Sequence, residues 1–482
     1  MEHPFEFPLQ LPDRGSRQRM AALHGQLRAA ILDGRLKPGL RLPATRELAE
    51  ALEVSRNTVV AAYDLLLGEG YIEARRGAGN FVADLAMRRS DRRARIDVSA
   101  ADKRIASYWR SFTGLPRPMH VGTYAHDFRL GIPDSRSFPY DIWRRLSARA
   151  LRNLSRSASL YDPASGRLPL RQAIAQHISF ARAVSCEAED VIVTSGAQQA
   201  FDLLARVLVT PGRTVVAVED PGYPPLREVF RAAGAQVIGV PVDNEGLVVE
   251  QLPRDANVIY VTPSHQFPLG VVMSPRRRVE LLAFARTRGA LVIEDDYDSE
   301  FRYGGRPLDA LQTLDRDDTV CYVGTFSKCL FPTLRLGYAV APPWLRTAFV
   351  NAKHLADWHG DVLTQDTLAA FIAEGHLVRH VRHMRKVYAE RREVLLDALQ
   401  RHGKGRLQVC PSDAGLHLAA MLDDAVDTPA LVERAATEGI NLESLNAYAK
   451  DGVAVNGVAF GLGMIDVARI DEGIAKLVRL VA

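Results

Sequence analysis

Val320-Cys321-Tyr322-Val323-Gly324-Thr325-Phe326-Ser327-Lys328 is an apolar run that passes through small and hydroxyl residues and closes on a lysine. Upstream, Ala290-Leu291-Val292-Ile293 delivers Glu294-Asp295-Asp296-Tyr297 in the same way. Short apolar runs bounded by polar turn residues read as buried strands. More of them lie at Val191 to Thr194, Val215 to Glu219, Val237 to Val240 and Val258 to Thr262. Helical segments such as Arg276 to Arg288 separate several of these runs. The alternation predicts an α/β fold from residue 126 onward, a mostly parallel sheet with helices on both faces. A long helical stretch, Thr364 to Gln400, then leads to a smaller α+β region ending in a helix from Asp466 to Val481. The large subdomain is expected at about 166–364, the small one at about 126–165 and 365–482.

Residues 15–83 read differently. Leu23, Leu27 and Ile31 recur at helical spacing and Gly34 stands where that helix would stop. Leu42-Pro43 opens a second short helix carrying Leu48, Ala49 and Leu52. Ser55 caps a third, whose inner face is Val59, Ala62, Tyr63 and Leu66. Strand, turn and strand follow between Tyr71 and Val82. Three helices and a hairpin in this order make a winged helix. Residues 84–125, with Arg88, Arg89, Arg92, Arg93 and Arg95 followed by Pro116 and Pro118, read as a linker with one short helix, Lys103 to Phe112.

A length of 482 residues implies two or three domains, and 47% hydrophobic with 24% charged residues fits a globular protein. No stretch approaches the roughly 20 apolar residues that span a bilayer. Met1-Glu2-His3-Pro4-Phe5 lacks the charged-then-apolar order of a signal peptide, so the expected location is the cytoplasm. Cys186, Cys321, Cys329 and Cys410 lie far apart, which predicts neither disulfides nor a metal site. A net charge of +4 does not by itself imply nucleic acid.

In a sheet of this kind ligands collect at the carboxyl ends of the strands. A lysine, an acid and a tyrosine there are the parts that hold pyridoxal phosphate. Lys328 would condense with the cofactor aldehyde, Asp295 would pair with the pyridinium nitrogen, and Tyr297 could donate to the phenolate oxygen. For the phosphate, Gly196-Ala197-Gln198 offers backbone N–H groups at a helix start. Thr325 and Ser327 add hydroxyls, and Arg335 a charged fork. Tyr223 is the ring expected to stack on the pyridine. In the amino-terminal unit, Ser55-Arg56-Asn57-Thr58 forms the start of the recognition helix, where base edges and phosphates are met. Arg46, Arg75 and Arg76 are phosphate candidates, and Gly77 lets the wing backbone approach a groove.

These motifs resemble known families. Thr194-Ser195-Gly196-Ala197-Gln198-Gln199, Glu294-Asp295-Asp296-Tyr297-Asp298-Ser299-Glu300-Phe301 and Gly324-Thr325-Phe326-Ser327-Lys328 are similar to the MocR/GabR branch of the fold-type I, class I aminotransferases. Leu36 to Ala49 and Ser55-Arg56-Asn57-Thr58-Val59 resemble the GntR winged helix, whose DNA contacts fall on Arg46, Arg56, Asn57 and Thr58. The resemblance implies a head-to-tail homodimer on two half-sites of double-stranded DNA. Tyr161 would reach the partner's cofactor phosphate and Gly131 would line the substrate pocket. It implies a transcriptional regulator, not an enzyme, that senses an amine, an amino acid or pyridoxal phosphate through Lys328. The alternative is a working aminotransferase with an accessory DNA-binding domain. Phe267 stands where the aminotransferases carry an asparagine, so Gln266 or His265 must substitute or that bond is missing. Leu269 replaces a threonine in the same loop. The strand Gly457 to Gly461 lacks the arginine that grips a substrate carboxylate.

Overall fold

The computed structural model describes the chain apart from residues 1–4, 6, 14–15, 17, 76, 85–103, 115–121, 157–159, 305–308, 404, 450–454 and 482. Arg76 and the arginine run from Arg88 to Arg95 therefore lie outside the described residues. The chain divides into two compact units, Met1–Asp102 and Lys103–Ala482.

The first unit holds α1 (Arg19–Leu32), α2 (Thr45–Ala51), α3 (Arg56–Gly68) and an antiparallel hairpin of β1 (Ile72–Arg75) and β2 (Gly79–Val82). Leu23, Leu27, Leu48, Val59, Tyr63 and Leu66 meet in one core. Each such aliphatic side chain stabilises the unit by about 1.5–3 kcal/mol. The second helix starts at Thr45, later than the expected Leu42-Pro43. The Leu42 N–H is instead spent on Asn80 O (2.8 Å), and the Glu47 carboxylate accepts from Ala44 N–H (3.0 Å) at the true helix start. The core also extends before residue 15: Phe5 is buried, and Phe7, Leu9 and Leu11 pack against the helices. Two hydrogen bonds between Gln10 and Gln26 fasten that arm.

The second unit begins with α4 (Ser107–Ser111), shorter than the expected Lys103 to Phe112. Its Tyr108 hydroxyl donates to the Glu228 carboxylate (2.8 Å). Then come β3 (His126–Asp127), α5 (Tyr140–Leu154), α6 (Leu168–Arg182), β4 (Val191–Thr194), α7 (Ala197–Leu208), β5 (Val215–Asp220) and α8 (Pro224–Ala232). They are followed by β6 (Gln236–Asp243), β7 (Gly246–Leu247), β8 (Val258–Val261), α9 (Pro275–Arg288), β9 (Leu291–Asp296), β10 (Val320–Thr325), β11 (Gly337–Val340) and α10 (Pro343–Asp357). Strands β4 to β11 form one eight-stranded sheet in the order β4-β11-β10-β9-β8-β5-β6-β7. β5, β6, β8, β9 and β10 run parallel, whereas β11 is antiparallel to both its neighbours and β7 to β6.

The expected helical stretch from Thr364 to Gln400 is made of two helices, α11 (Val362–Ala373) and α12 (His376–Gly403). Gly375 separates them at φ +72°, a left-handed conformation that ends a helix. The small region carries β12 (Leu407–Val409), β13 (His417–Leu422), α13 (Thr428–Thr437), β14 (Ile440–Asn441), β15 (Glu443–Ser444), β16 (Gly457–Gly461) and α14 (Val467–Val481). Its sheet runs β12-β13-β16-β15, and β14 pairs with β3. All four cysteines are free thiols. Among the described residues no helix is long and apolar enough to cross a membrane.

Candidate cofactor site and nucleic-acid interface

Five of the strands deliver their carboxyl ends to one cavity of about 190 Å³. Lining it are Ala197 and Gln198 after β4, Tyr223 after β5, Tyr260 within β8, Asp295 and Tyr297 from β9, and Thr325, Ser327 and Lys328 from β10. Arg335 joins them. Every cofactor residue expected from this chain's own sequence thus meets in one place. Tyr161 does not. It is exposed, with its ring 4.5 Å from that of Trp358.

Lys328 Nζ donates to Gly131 O (2.8 Å), and a Cβ on Gly131 would lie 2.7 Å from that nitrogen, so only glycine allows the approach. Burial pushes the Lys328 ammonium below its usual range, against the opposing pull of Asp298, Asp295 and Glu443. Burial raises the Asp295 carboxyl to about 7, although the Tyr260 hydroxyl bond to Oδ2 (2.7 Å) works the other way. Asp295 Oδ1 is buried without a hydrogen-bond partner. A buried acceptor left in this state calls for a hydrogen-bond donor. Elsewhere in the lining, Arg335 Nη2 donates to Ser195 O (2.6 Å) beside the start of α7. Thr325 and Ser327 hydroxyls are 3.1 Å apart. Hydroxyls, a guanidinium and a helix amino terminus form a phosphate-type cradle.

Tyr260, Asp298, Leu416 and His417 also line the cavity and were not singled out in the sequence. The His265 Nδ1 sits between the Asp298 carboxylate (3.1 Å) and the Tyr297 hydroxyl (3.0 Å). Burial alone would raise the Asp298 carboxyl, but His265 brings it below the ordinary value. Gly415, at φ +82°, allows this: a Cβ there would fall 2.0 Å from the His265 ring. His417 Nε2 donates to Pro268 O (3.0 Å). Nitrogen and oxygen atoms of His265, Asp298 and His417 lie within 4.8 Å of one another, and hydrogen bonding accounts for the cluster.

Neither substitute for the missing asparagine reaches the cavity. The Gln266 amide donates to Pro221 O (2.8 Å) and Phe267 O (2.7 Å), and His265 is committed to Asp298. The Phe267 ring itself forms the wall, in edge contact with Tyr223, Tyr297 and Tyr448.

In the first unit, Ser55 is the N-cap of α3, accepting from Thr58 N–H (3.1 Å) while the two hydroxyls share a 2.8 Å bond. Both are therefore used in holding the helix start. Arg56 and Asn57 occupy the exposed first turn, and Arg46 is exposed on α2. Arg75 is tied to Glu73 and lies over the Phe81 ring at 4.5 Å. Gly77 holds the wing turn at φ +74°.

An α/β sheet with lysine and acid in one cavity at its carboxyl edge, on a chain that also carries a winged helix, defines a DNA-binding regulator built on an aminotransferase scaffold. The aminotransferase class I and II family matches residues 130–453, and the gntR family of bacterial regulatory proteins matches residues 20–82. The chain is 38% identical over 456 residues to the probable rhizopine catabolism regulatory protein MocR of Rhizobium meliloti, covering 94% of this chain and 92% of that protein. It is 35% identical over 442 residues to the pyridoxine biosynthesis transcriptional regulator PdxR of Corynebacterium glutamicum, covering 92% and 91%. Kynurenine aminotransferase of Pyrococcus horikoshii, solved in complex with PMP, superimposes with a TM-score of 0.69 at 29% identity, over 75% of this chain and 91% of that one. The chain belongs to the MocR-type GntR-family transcriptional regulators, which join a winged helix to a class I aminotransferase-like domain.

Proposed function

We propose that this regulator holds pyridoxal phosphate at Lys328, and that an amine, an amino acid or pyridoxal phosphate itself changes its grip on operator DNA. The observation that carries this reading is Asp295. One carboxylate oxygen is taken by Tyr260 and the other is buried and unpaired, on the wall that Lys328 shares. A pyridinium N–H fits that oxygen, so the residues present suit the group. When bound, the cofactor supplies an aldehyde that condenses reversibly with amines. The depressed Lys328 pKa keeps more of the side chain as the neutral nucleophile. Ala197, Gln198, Thr325, Ser327 and Arg335 gather the phosphate, Tyr223 flanks the ring, and Tyr297, steadied by His265, holds a hydrogen bond at the phenolate oxygen.

Two protomers arranged head-to-tail bring Tyr161 to the partner's phosphate and set two winged helices on two half-sites. Arg46, Arg56, Asn57, Arg75 and Gly77 meet the DNA, and Arg76 joins them by sequence. Sustained transamination is not expected. The arginine among the described lining residues, Arg335, stands at the phosphate end and leaves an α-carboxylate without a clamp. The test is a gel shift on promoter DNA beside the protein's own gene, with and without pyridoxal phosphate and a panel of amines. Lys328→Ala should retain DNA binding and lose the response, and borohydride should label the Lys328 peptide of the wild type alone. A variant that responds normally would remove the reading.

A further inference from the structure

We infer that the cavity wall formed by His417 and Asp298 selects an amine carrying a second hydrogen-bond donor, a hydroxyl or an ammonium, and turns away one carrying a carboxylate. The inference rests on the proposed covalent site at Lys328 and specifies what that site accepts.

His417 opens β13 and faces Gly461 of β16 across the small sheet. Its Nε2–H donates to Pro268 O, so the remaining ring nitrogen, Nδ1, bears a lone pair, and among the described residues no hydrogen-bond donor meets it. Burial, with His265 next to it, pushes the imidazole down to about 3, so the ring stays neutral at physiological pH and offers an acceptor, not a cation. A ring nitrogen of His417 lies within 4.8 Å of an Asp298 carboxylate oxygen. Asp298 stays ionised, held by His265 and by Leu416 N–H (3.0 Å).

A third group adds to this field. Glu443, at the edge of the same small sheet, is buried behind the Gly131 loop, accepting from Leu130 N–H (3.1 Å) and from the Tyr448 hydroxyl. Its charge reaches Lys328. Here the described wall presents a carboxylate and a neutral acceptor, whereas the guanidinium of Arg335 is bonded to Ser195 O beside the start of α7. A carboxylate placed here meets like charge and no donor fork. A hydroxyl or ammonium meets His417 Nδ1 and the Asp298 field.

The test follows the absorbance of the bound cofactor in the full-length, pyridoxal phosphate-loaded protein, with titration calorimetry beside it. Four ligands with the same four-carbon chain are compared: n-butylamine, 4-aminobutan-1-ol, 1,4-diaminobutane and 4-aminobutanoate. The amino alcohol and the diamine are expected to half-saturate at concentrations about tenfold below n-butylamine, the size of one net hydrogen bond. The carboxylate should need about tenfold more. His417→Phe should erase the advantage of the donor-bearing ligands over n-butylamine measured in the same variant, and His417→Asn, which keeps an acceptor, should restore part of it. Tighter binding of 4-aminobutanoate than of 4-aminobutan-1-ol by the wild type overturns the selectivity alone, whatever the variants do. If no amine perturbs the cofactor, the covalent reading falls and takes this one with it.

Discussion

Burial lifts the Asp295 carboxyl to about 7, and lifts Glu219, Glu294 and Glu300 to about 7, 7 and 8. A raised folded-state pKa means that the native protein keeps protons the unfolded chain has released. The stability this confers is complete below about pH 4 and is lost as pH climbs to the folded values. The cofactor-free protein is therefore expected to melt at progressively lower temperature from pH 5 to pH 8. Asp134 acts oppositely: Arg136 and Arg391 overcome its burial and bring it to about 2, so its contribution disappears only in acid. Asp295→Asn should shallow the neutral-range decline by one proton, about 1.4 kcal/mol per pH unit. Urea melts of wild type and variant across that range check this, and parallel curves would acquit Asp295. The variant should also release cofactor more readily. Asp295, Tyr297 and Lys328 were legible in the sequence because each follows an apolar strand. Tyr260 and His417 were not, because what makes them matter is a contact across strands: a hydroxyl to Asp295 and a ring beside His265. Which of the three alternatives for the missing asparagine holds, Gln266, His265 or no bond, could not be read from the sequence for the same reason: the Gln266 amide is consumed by backbone carbonyls.

The proposed DNA reading rests on the first turn of α3, where Arg56 and Asn57 are exposed. Ser55→Ala removes a cap bond and should cost the first unit about 1 kcal/mol, read from its thermal unfolding. Arg56→Ala and Asn57→Ala, whose side chains are exposed, should leave stability alone and weaken operator binding by about 1–3 kcal/mol each, measured by anisotropy at fixed salt. Equal loss on random DNA would instead mark them as phosphate contacts. The limits of α3 were readable because a serine cap and terminal glycines announce them. The break between α11 and α12 was passed over because helical periodicity runs across it, although Gly375 is the residue that permits it. The arm before α1 went unread too, yet Phe5, Phe7, Leu9 and Leu11 alternate with a period of two, the mark of an extended strip laid on a core.

Across the whole molecule, cofactor binding should raise the unfolding midpoint of the second unit, with about 2.7 kcal/mol gained at a hundredfold excess over Kd. Calorimetry at several pyridoxal phosphate concentrations measures it. A dimer with shared sites, as proposed, has a stricter consequence. Lys328→Ala and Tyr161→Ala proteins, each defective alone, should regain effector response when mixed, because one site of the mixed dimer then has both intact residues. Absence of rescue would place Tyr161 outside the partner's site. The large sheet could be anticipated as a whole, since its strands and helices alternate along the chain, whereas the reversed β11 could not, being fixed by its pairing with β4 and β10. Through the clasp between Tyr108 and Glu228, α4 is tied to α8, the helix that begins one residue after Tyr223, so a displacement of α4 bears on the helix that starts beside a ring of the cavity.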